Sequence, residues 1–420
     1  MHFPGYYEFF CPAPTLAGHR VLEKIPTLLH RLGARRPMLV TDKGVAGAGL
    51  VEIVQAAISS DVTIGAVEDD VPPDSELAVV NRLAGVYRDK RCDSIIAVGG
   101  GSVLDTAKGM NIVVSENADD LMQFSGAGRL TRPLKPLIAV PTTAGTGSEA
   151  TLVAVIADHA NNRKMIFTSY FLVPDAAVLD TRMTLTLPPA ITAATGMDAL
   201  THAIEAYTCL AKNPVSDTHA LAAIELISQN LLPVIKNPED REGRLALAVG
   251  ANLAGAAFSN AMVGMVHTLG HSVGAVCGVP HGTCMAILLP YGLEYNMHKN
   301  SRFTARLLLP LAGAQAVART PVHLRAQQVI AMIRQLNQHL HQETGGAHAR
   351  FFKEVVSPDG QERVPADKLE AIAEKAMGDG SIFYNPEELD KDDLLMVMSH
   401  AWAGTPLDVN TVKKGSLQIR

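Results

Sequence analysis

Ser94–Lys108 reads SIIAVGGGSVLDTAK: an apolar β-rich run, three consecutive glycines, a serine, then helical spacing. A short buried strand that ends in glycines and turns into a helix is one step of a parallel sheet covered by helices. Glycine lets the backbone approach a ligand closely, and the helix start offers unpaired N–H groups to an anion, for which a pyrophosphate is the natural guest. The run lacks the G-x-G-x-x-G spacing of the dinucleotide fingerprint, and a glycine-rich turn of this kind also serves purely structural ends.

Outward from this stretch, Pro37–Thr41 (PMLVT), Val62–Val67 (VTIGAV) and Leu137–Val140 (LIAV) read as further short buried strands. Leu50–Ser59 and Ser75–Lys90 carry helical spacing between them. This alternation predicts an α/β domain over residues 1–187, built on a parallel sheet. Thr151–Ala157 and Lys164–Thr168, joined across Asn161-Asn162, are expected to form an added antiparallel hairpin. After Leu187-Pro188-Pro189 the texture changes, with helical runs such as Val215–Leu232, Gly243–Phe258 and Pro321–His341. Residues 188–420 are therefore expected to form a second, helical domain. The polar, turn-rich segment His348–Asp367 reads as a surface excursion.

Two stretches of the helical half concentrate metal-ligating groups. Gly264–His281 (GMVHTLGHSVGAVCGVPH) places His267, His271 and His281 within fifteen residues, among small and apolar neighbours. Gly196–Tyr207 (GMDALTHAIEAY) puts Asp198 and His202 four apart, on one helix face. A buried carboxylate and imidazoles need compensation, and one carboxylate with up to three imidazoles suits a divalent first-row metal. Each residue alone is equally compatible with a hydrogen-bonded core histidine or a surface pair.

Two further stretches suit a nucleotide. Asp42 follows the strand PMLVT, where a carboxylate can accept hydrogen bonds from a ribose and repel a 2′-phosphate. An aspartate before Lys43-Gly44 is equally a turn former. Pro141–Thr151 (PTTAGTGSEAT) holds four threonines, a serine and two glycines in eleven residues, which suits a cradle for a polar ligand as well as a simple turn.

The composition, 47% hydrophobic and 19% charged, is that of a well-packed globular protein. A net charge of −6 with no basic stretch argues against nucleic-acid and anionic-membrane partners. Five cysteines without a CxxC fit a reduced setting, and the start MHFPGYYEFF lacks the basic-then-apolar pattern of a secretory signal. A cytoplasmic protein is expected.

GGGSVLDTAK, PTTAGTGSEAT, GMDALTHAIEAY and HTLGHSVGAVCGVPHG, in this order and at these separations, resemble the iron-dependent (group III) alcohol dehydrogenases over about residues 15–300. The resemblance implies a Rossmann-like parallel-sheet dinucleotide domain followed by a helical metal-binding domain, the dehydroquinate synthase-like architecture. It implies NAD and a divalent metal as cofactors, with Asp198, His202, His267 and His281 as metal ligands and His271 near the substrate or nicotinamide rather than on the metal. An imidazole titrates near neutrality, so His271 suits a proton relay as well as a packing histidine. It places Gly99, Gly100, Gly101, Ser102 and Asp105 along the pyrophosphate and nearby ribose, and Thr142, Thr143, Thr146 and Thr151 along the nucleotide. Fe2+ is implied over Zn2+ by the resemblance alone, because the affinity order favours zinc. The expected activity is reversible hydride transfer between a small primary alcohol and NAD, in a homo-oligomer. Leu152–Val155, Phe258, Met262 and Val263 are expected to give the substrate an apolar wall.

The chain departs from the family after about residue 300, where Gly345–Ala376 and the tail 404–420 lengthen it. Three other readings share the fold: a glycerol dehydrogenase, a dehydroquinate synthase-like lyase and a non-catalytic scaffold. A phosphate-bearing lyase substrate calls for a basic cluster, yet Asp198–His281 holds only Lys212, Lys236, Arg241 and Arg244. An intact set of metal and glycine motifs disfavours a scaffold.

Overall fold

The computed structural model describes residues 4–58, 61–159, 163–409 and 412. Its strands are β1 (Thr15–Gly18), β2 (Pro37–Val40), β3 (Ala66–Glu68), β4 (Ser94–Gly99), β5 (Gly126–Ala127), β6 (Leu137–Pro141), β7 (Val153–Asp158), β8 (Arg163–Thr168) and β9 (Ala176–Asp180). Six of them form one all-parallel sheet in the order β1-β9-β6-β4-β2-β3. Its central strands are apolar on both faces because each face is covered. Met38, Val40, Ile95, Ala97, Leu137 and Ala139 enter one core. Their sequence neighbours Leu39, Ile96, Val98, Ile138 and Val140 enter the other. That alternation is the two-residue period of a strand, read out in two cores rather than in one core and solvent.

The expected strands are all present, although the third begins at Ala66 rather than Val62. The hairpin is the antiparallel pair β7–β8, with β5 added beside β8; its connection at Asn161-Asn162 lies outside the described residues. The sheet order places β3 on one side of β2 and β4 on the other. The chain reverses direction across the sheet there, and parallel sheets bind ligands beyond the carboxyl ends of strands at such a point. Asp42, Gly99–Gly101 and Pro141–Gly147 follow the adjacent strands β2, β4 and β6.

The chain divides into two compact units, Phe10–Leu187 with Pro238–Ser259, and Met1–Phe9 with Pro188–Asn237 and Asn260–Arg420. The helix Arg241–Ser259 thus belongs with the sheet, although it lies in the helical half of the sequence. The reason is local. Gly147, at φ +63°, and Gly255 meet backbone to backbone: a Cβ on Gly255 would lie 2.5 Å from the Gly147 carbonyl oxygen. Leu152 N–H donates to Ser259 Oγ, and Asn252 donates to the buried Glu149 carboxylate.

The second unit is helical, with Pro189–Thr208, Pro214–Lys236, Met265–Cys277 and His281–Tyr295 packed around one another. Among the described residues no helix is long and apolar enough to cross a membrane. The segment His348–Asp367 is only partly the expected surface excursion. Phe352 and Val364 are fully buried, and Trp402 donates its indole N–H to the Val364 carbonyl. A loop with two apolar anchors is held at both ends while its middle faces water.

Gly255→Ala is expected to destabilise the first unit by about 1–3 kcal/mol, because the added methyl has no room against the Gly147 carbonyl. Gly147→Ala adds to this the cost of a left-handed backbone at a residue with a Cβ. Denaturant unfolding of both variants checks this; unchanged midpoints would show that the loop is not held by this contact.

Candidate active site

Asp198 and His202 occupy successive turns of Pro189–Thr208, a helix buried on most of its circumference. His267 lies in the first turn of Met265–Cys277, and His281 opens His281–Tyr295 after the Gly278-Val279-Pro280 turn. Gly282 lets that third helix approach the first: a Cβ there would lie 2.5 Å from the Ala194 carbonyl oxygen. The four side chains each offer one ligand atom within 4.8 Å of the others, the scale of twice a ~2.1 Å metal–ligand bond. Asp198 Oδ1 is 3.3 Å from His281 Nε2 and 3.7 Å from His202 Nδ1.

The donor set fits a metal ion. Burial pushes the His202 imidazole down to about 3 and the His267 imidazole well below its usual range. Both therefore keep a lone pair to donate. His267 Nε2 is fully buried and has no hydrogen-bond partner, an arrangement that costs roughly 1–3 kcal/mol unless something else satisfies the atom. Burial would raise the Asp198 carboxyl, but His202 and His281 outweigh it and hold the group as an anion.

Behind this cluster stands Glu205, buried and one turn beyond His202. Its Oε2 is 2.5 Å from His267 Nδ1, while its Oε1 accepts from the Val266 N–H at 2.8 Å. A ring that donates Nδ1–H to a carboxylate presents Nε2 as the lone-pair atom, so Glu205 sets the tautomer of the candidate ligand His267. Burial pushes the Glu205 carboxyl up to about 7, against the pull of the backbone N–H groups around it. Glu205 was not among the expected residues, although 198, 202 and 205 share one helix face.

His271, one turn after His267, is not among the four side chains that cluster. Its ring stacks on His281 with centroids 5.3 Å apart, and its Nδ1 is 2.8 Å from Asp379 Oδ2. Asp379 lies more than a hundred positions away, in a Gly-Asp-Gly turn with no periodicity, and nothing in the sequence marked it.

In the sheet unit the glycine run closes on itself. A Cβ on Gly99 would meet Val103 at 2.5 Å, and one on Gly101 would meet Thr146 at 2.8 Å. Gly100 caps Gly101–Ser115 without a side-chain cap, so the first-turn N–H groups are available to an anion. Thr142 is buried, Thr143 approaches the Gly100 position, and Thr146 lies against Gly101. Asp42 caps the short helix Lys43–Gly47, its Oδ1 accepting from the Val45 N–H at 2.9 Å. The turn-forming role that the sequence also allowed is thus real.

Asp105 and Thr151, expected on the nucleotide, turn inward instead. Asp105 accepts from Ser148 Oγ and from the Val155 N–H, so both carboxylate oxygens are used by the protein. The Thr151 hydroxyl and carbonyl both accept from Lys108 Nζ, whose third bond goes to the Val153 carbonyl. Lys108 is fully buried, and burial pushes its ammonium down to about 8 against the pull of Asp105 and Glu149. Ser102 donates its hydroxyl to the Pro73 carbonyl. Lys108 and Glu149 are buried charges within the glycine and threonine motifs. They brace the threonine loop from behind.

The sequence profile of the iron-containing alcohol dehydrogenases matches residues 12–181, and that of the Fe-containing alcohol dehydrogenase family, C-terminal, matches residues 192–402. The chain belongs to the iron-containing alcohol dehydrogenase family. Among relatives in that family it is 31% identical to an NAD-dependent methanol dehydrogenase of Bacillus methanolicus, over 94% of this chain and 99% of the relative. It is 32% identical to an NADPH-dependent butanol dehydrogenase of Clostridium saccharobutylicum, over 96% and 99% of the two chains. A crystal structure of 1,3-propanediol oxidoreductase superposes with a TM-score of 0.88 at 31% identity, covering 94% of this chain and all of the other. The expected two-part fold is therefore that of iron-containing alcohol dehydrogenases.

Glu205→Ala is expected to weaken metal binding roughly 10–100-fold while the fold persists, because the ligand ring loses its orienting acceptor. His267→Ala and His281→Ala should reduce metal content further. Elemental analysis of the purified variants checks both; full occupancy in all three would remove the metal centre from this site.

Proposed function

We propose that the chain interconverts small primary alcohols and aldehydes with NAD, using one divalent metal, iron in kind, on Asp198, His202, His267 and His281. The observation that carries this is the cluster of one carboxylate and three imidazoles, buried except for the half-exposed His281, with His267 Nε2 unpartnered. When bound, the metal supplies Lewis-acid polarisation of the alcohol oxygen, and the nicotinamide supplies the hydride acceptor. The protein's own residues do the rest. The first-turn N–H groups after Gly100, with Thr142, Thr143 and Thr146, hold the pyrophosphate side of NAD. His271 moves the alcohol proton, since its half-exposed ring borders His267 and His281. The same reading carries a cytoplasmic homo-oligomer.

Relatives divide between NAD and NADPH, so cofactor choice falls to individual residues. A carboxylate at Asp42, fixed by its cap to Val45, favours ribose hydroxyls and repels a 2′-phosphate. Asp42→Gly should improve the use of NADP. Equal use of NADP and NAD by the unmodified protein would refute this role.

For the substrate, part of the expected apolar wall turns away. Ala154 and Val263 are buried, whereas Met262, at φ +73°, is exposed. An apolar tail gains on the order of 1 kcal/mol per buried methylene, while each buried unpaired hydroxyl costs roughly 1–3 kcal/mol. The kcat/KM is therefore expected to rise from ethanol through 1-propanol to 1-butanol and to be lowest for glycerol. Glycerol or 1,2-propanediol outperforming 1-butanol would overturn the apolar-tail reading and leave the metal and NAD roles standing.

A further inference from the structure

Resting on the reading that His271 moves the alcohol proton, we propose that Asp379 is the positioning residue of this site, fixing the tautomer and direction of the His271 ring. A histidine whose side chain is 47% exposed on a helix has several rotamers and two tautomers open to it. Here the choice is made from two sides. The ring stacks on His281 at an interplanar angle of 16°, and its Nδ1 meets Asp379 Oδ2 at 2.8 Å. Donation of Nδ1–H to the carboxylate leaves Nε2, on the far edge of the ring, as the atom that exchanges a proton.

Asp379 can direct the ring because it is itself held. Its Oδ1 accepts from the Ser381 N–H at 2.8 Å, capping the turn Gly380–Tyr384. The far end of that turn is fastened twice. Tyr384 O accepts from the Leu210 N–H at 2.9 Å, just past the helix that carries Asp198 and His202. Asn385 Oδ1 accepts from the Met265 N–H at 3.2 Å, the first residue of the helix that carries His267 and His271. The segment Asp379–Asn385 therefore ties the proton-transfer histidine to both ligand-bearing helices. It lies beyond the lengthened region Gly345–Ala376, which delivers the chain to it.

A cap and a positioning residue respond differently to substitution. Asparagine caps as well as aspartate does, so Asp379→Asn should keep Tm within about 2 °C and leave metal content unchanged. It removes the anionic acceptor, so kcat should fall roughly 10-fold or more with KM little changed. Made in a His271→Ala background, Asp379→Asn should cost less than about 2-fold further, because its effect runs through a ring no longer there. Independently of activity, 15N NMR of the histidine-labelled, zinc-loaded protein should show His271 protonated at Nδ1, and a mixture of tautomers in Asp379→Asn. A wild-type kcat in Asp379→Asn, an equal loss with and without His271, or an unchanged His271 tautomer would each overturn the proposal. Absence of any metal-dependent alcohol oxidation by the unmodified protein would instead defeat the proposed function, and the NMR readout would still decide the role of Asp379.

Discussion

The interaction on which most of the site depends is the contact between Glu205 and His267, both side chains buried in a helical interior. A buried carboxylate is costly, and this one recovers its lost hydration from the N–H groups of Val266 and His267 and from the ring Nδ1. Those are the first-turn N–H groups of Met265–Cys277, so the carboxylate sits where a helix start favours negative charge. One side chain thereby anchors Met265–Cys277 to Pro189–Thr208, caps it, and selects which nitrogen of His267 faces Asp198 and His202. The rest of the cluster follows from helix spacing and from the close crossing at Gly282.

The sheet unit solves a different problem by a related device. Its threonine loop follows β6 and has to be fixed where that strand ends. The charges that fix it are buried behind it: Lys108 saturates the Thr151 and Val153 carbonyls, Asp105 takes Ser148 and Val155, and Glu149 takes Asn252. One ammonium beside two carboxylates, both of which burial pushes up, need not carry a large net charge. Removing one member would leave the others buried without compensation, which is why such clusters brace a loop more firmly than they stabilise a fold.

The parallel sheet, the change to helices after Leu187 and the cluster of Asp198, His202, His267 and His281 were legible because each is a local pattern: short apolar runs between helices, a double proline, and groups one turn apart. The inward turn of Asp105 and Thr151 was not, since a hydroxyl or carboxylate in a polar loop reads alike whether it faces a ligand or Lys108. The return of Arg241–Ser259 to the sheet unit was hidden for another reason. Helical spacing reports which face is apolar, not which core receives it, and the deciding contact is between two glycines with no side chains to read. Asp379 shows the limit most clearly. Its role comes from a tertiary hydrogen bond across 108 positions, and neither composition nor spacing encodes such a distance.

Every metal-ligand candidate, with Glu205, His271 and Asp379, comes from one compact unit, and every glycine- and threonine-loop residue comes from the other. Each half of the chemistry is thus organised by packing within its own unit. Loss of Glu205 acts directly on the His267 ring, and loss of the Gly147–Gly255 contact acts on the threonine loop that carries Gly147. Sites without shared partners contribute nearly additively to stability, whereas residues joined through one network do not. Substitutions at Glu205, His267 and Asp198 should therefore be strongly non-additive among themselves, because each orients or neutralises another. The same physical closeness that made Asp198 and His202 visible as a spaced pair makes their energies inseparable.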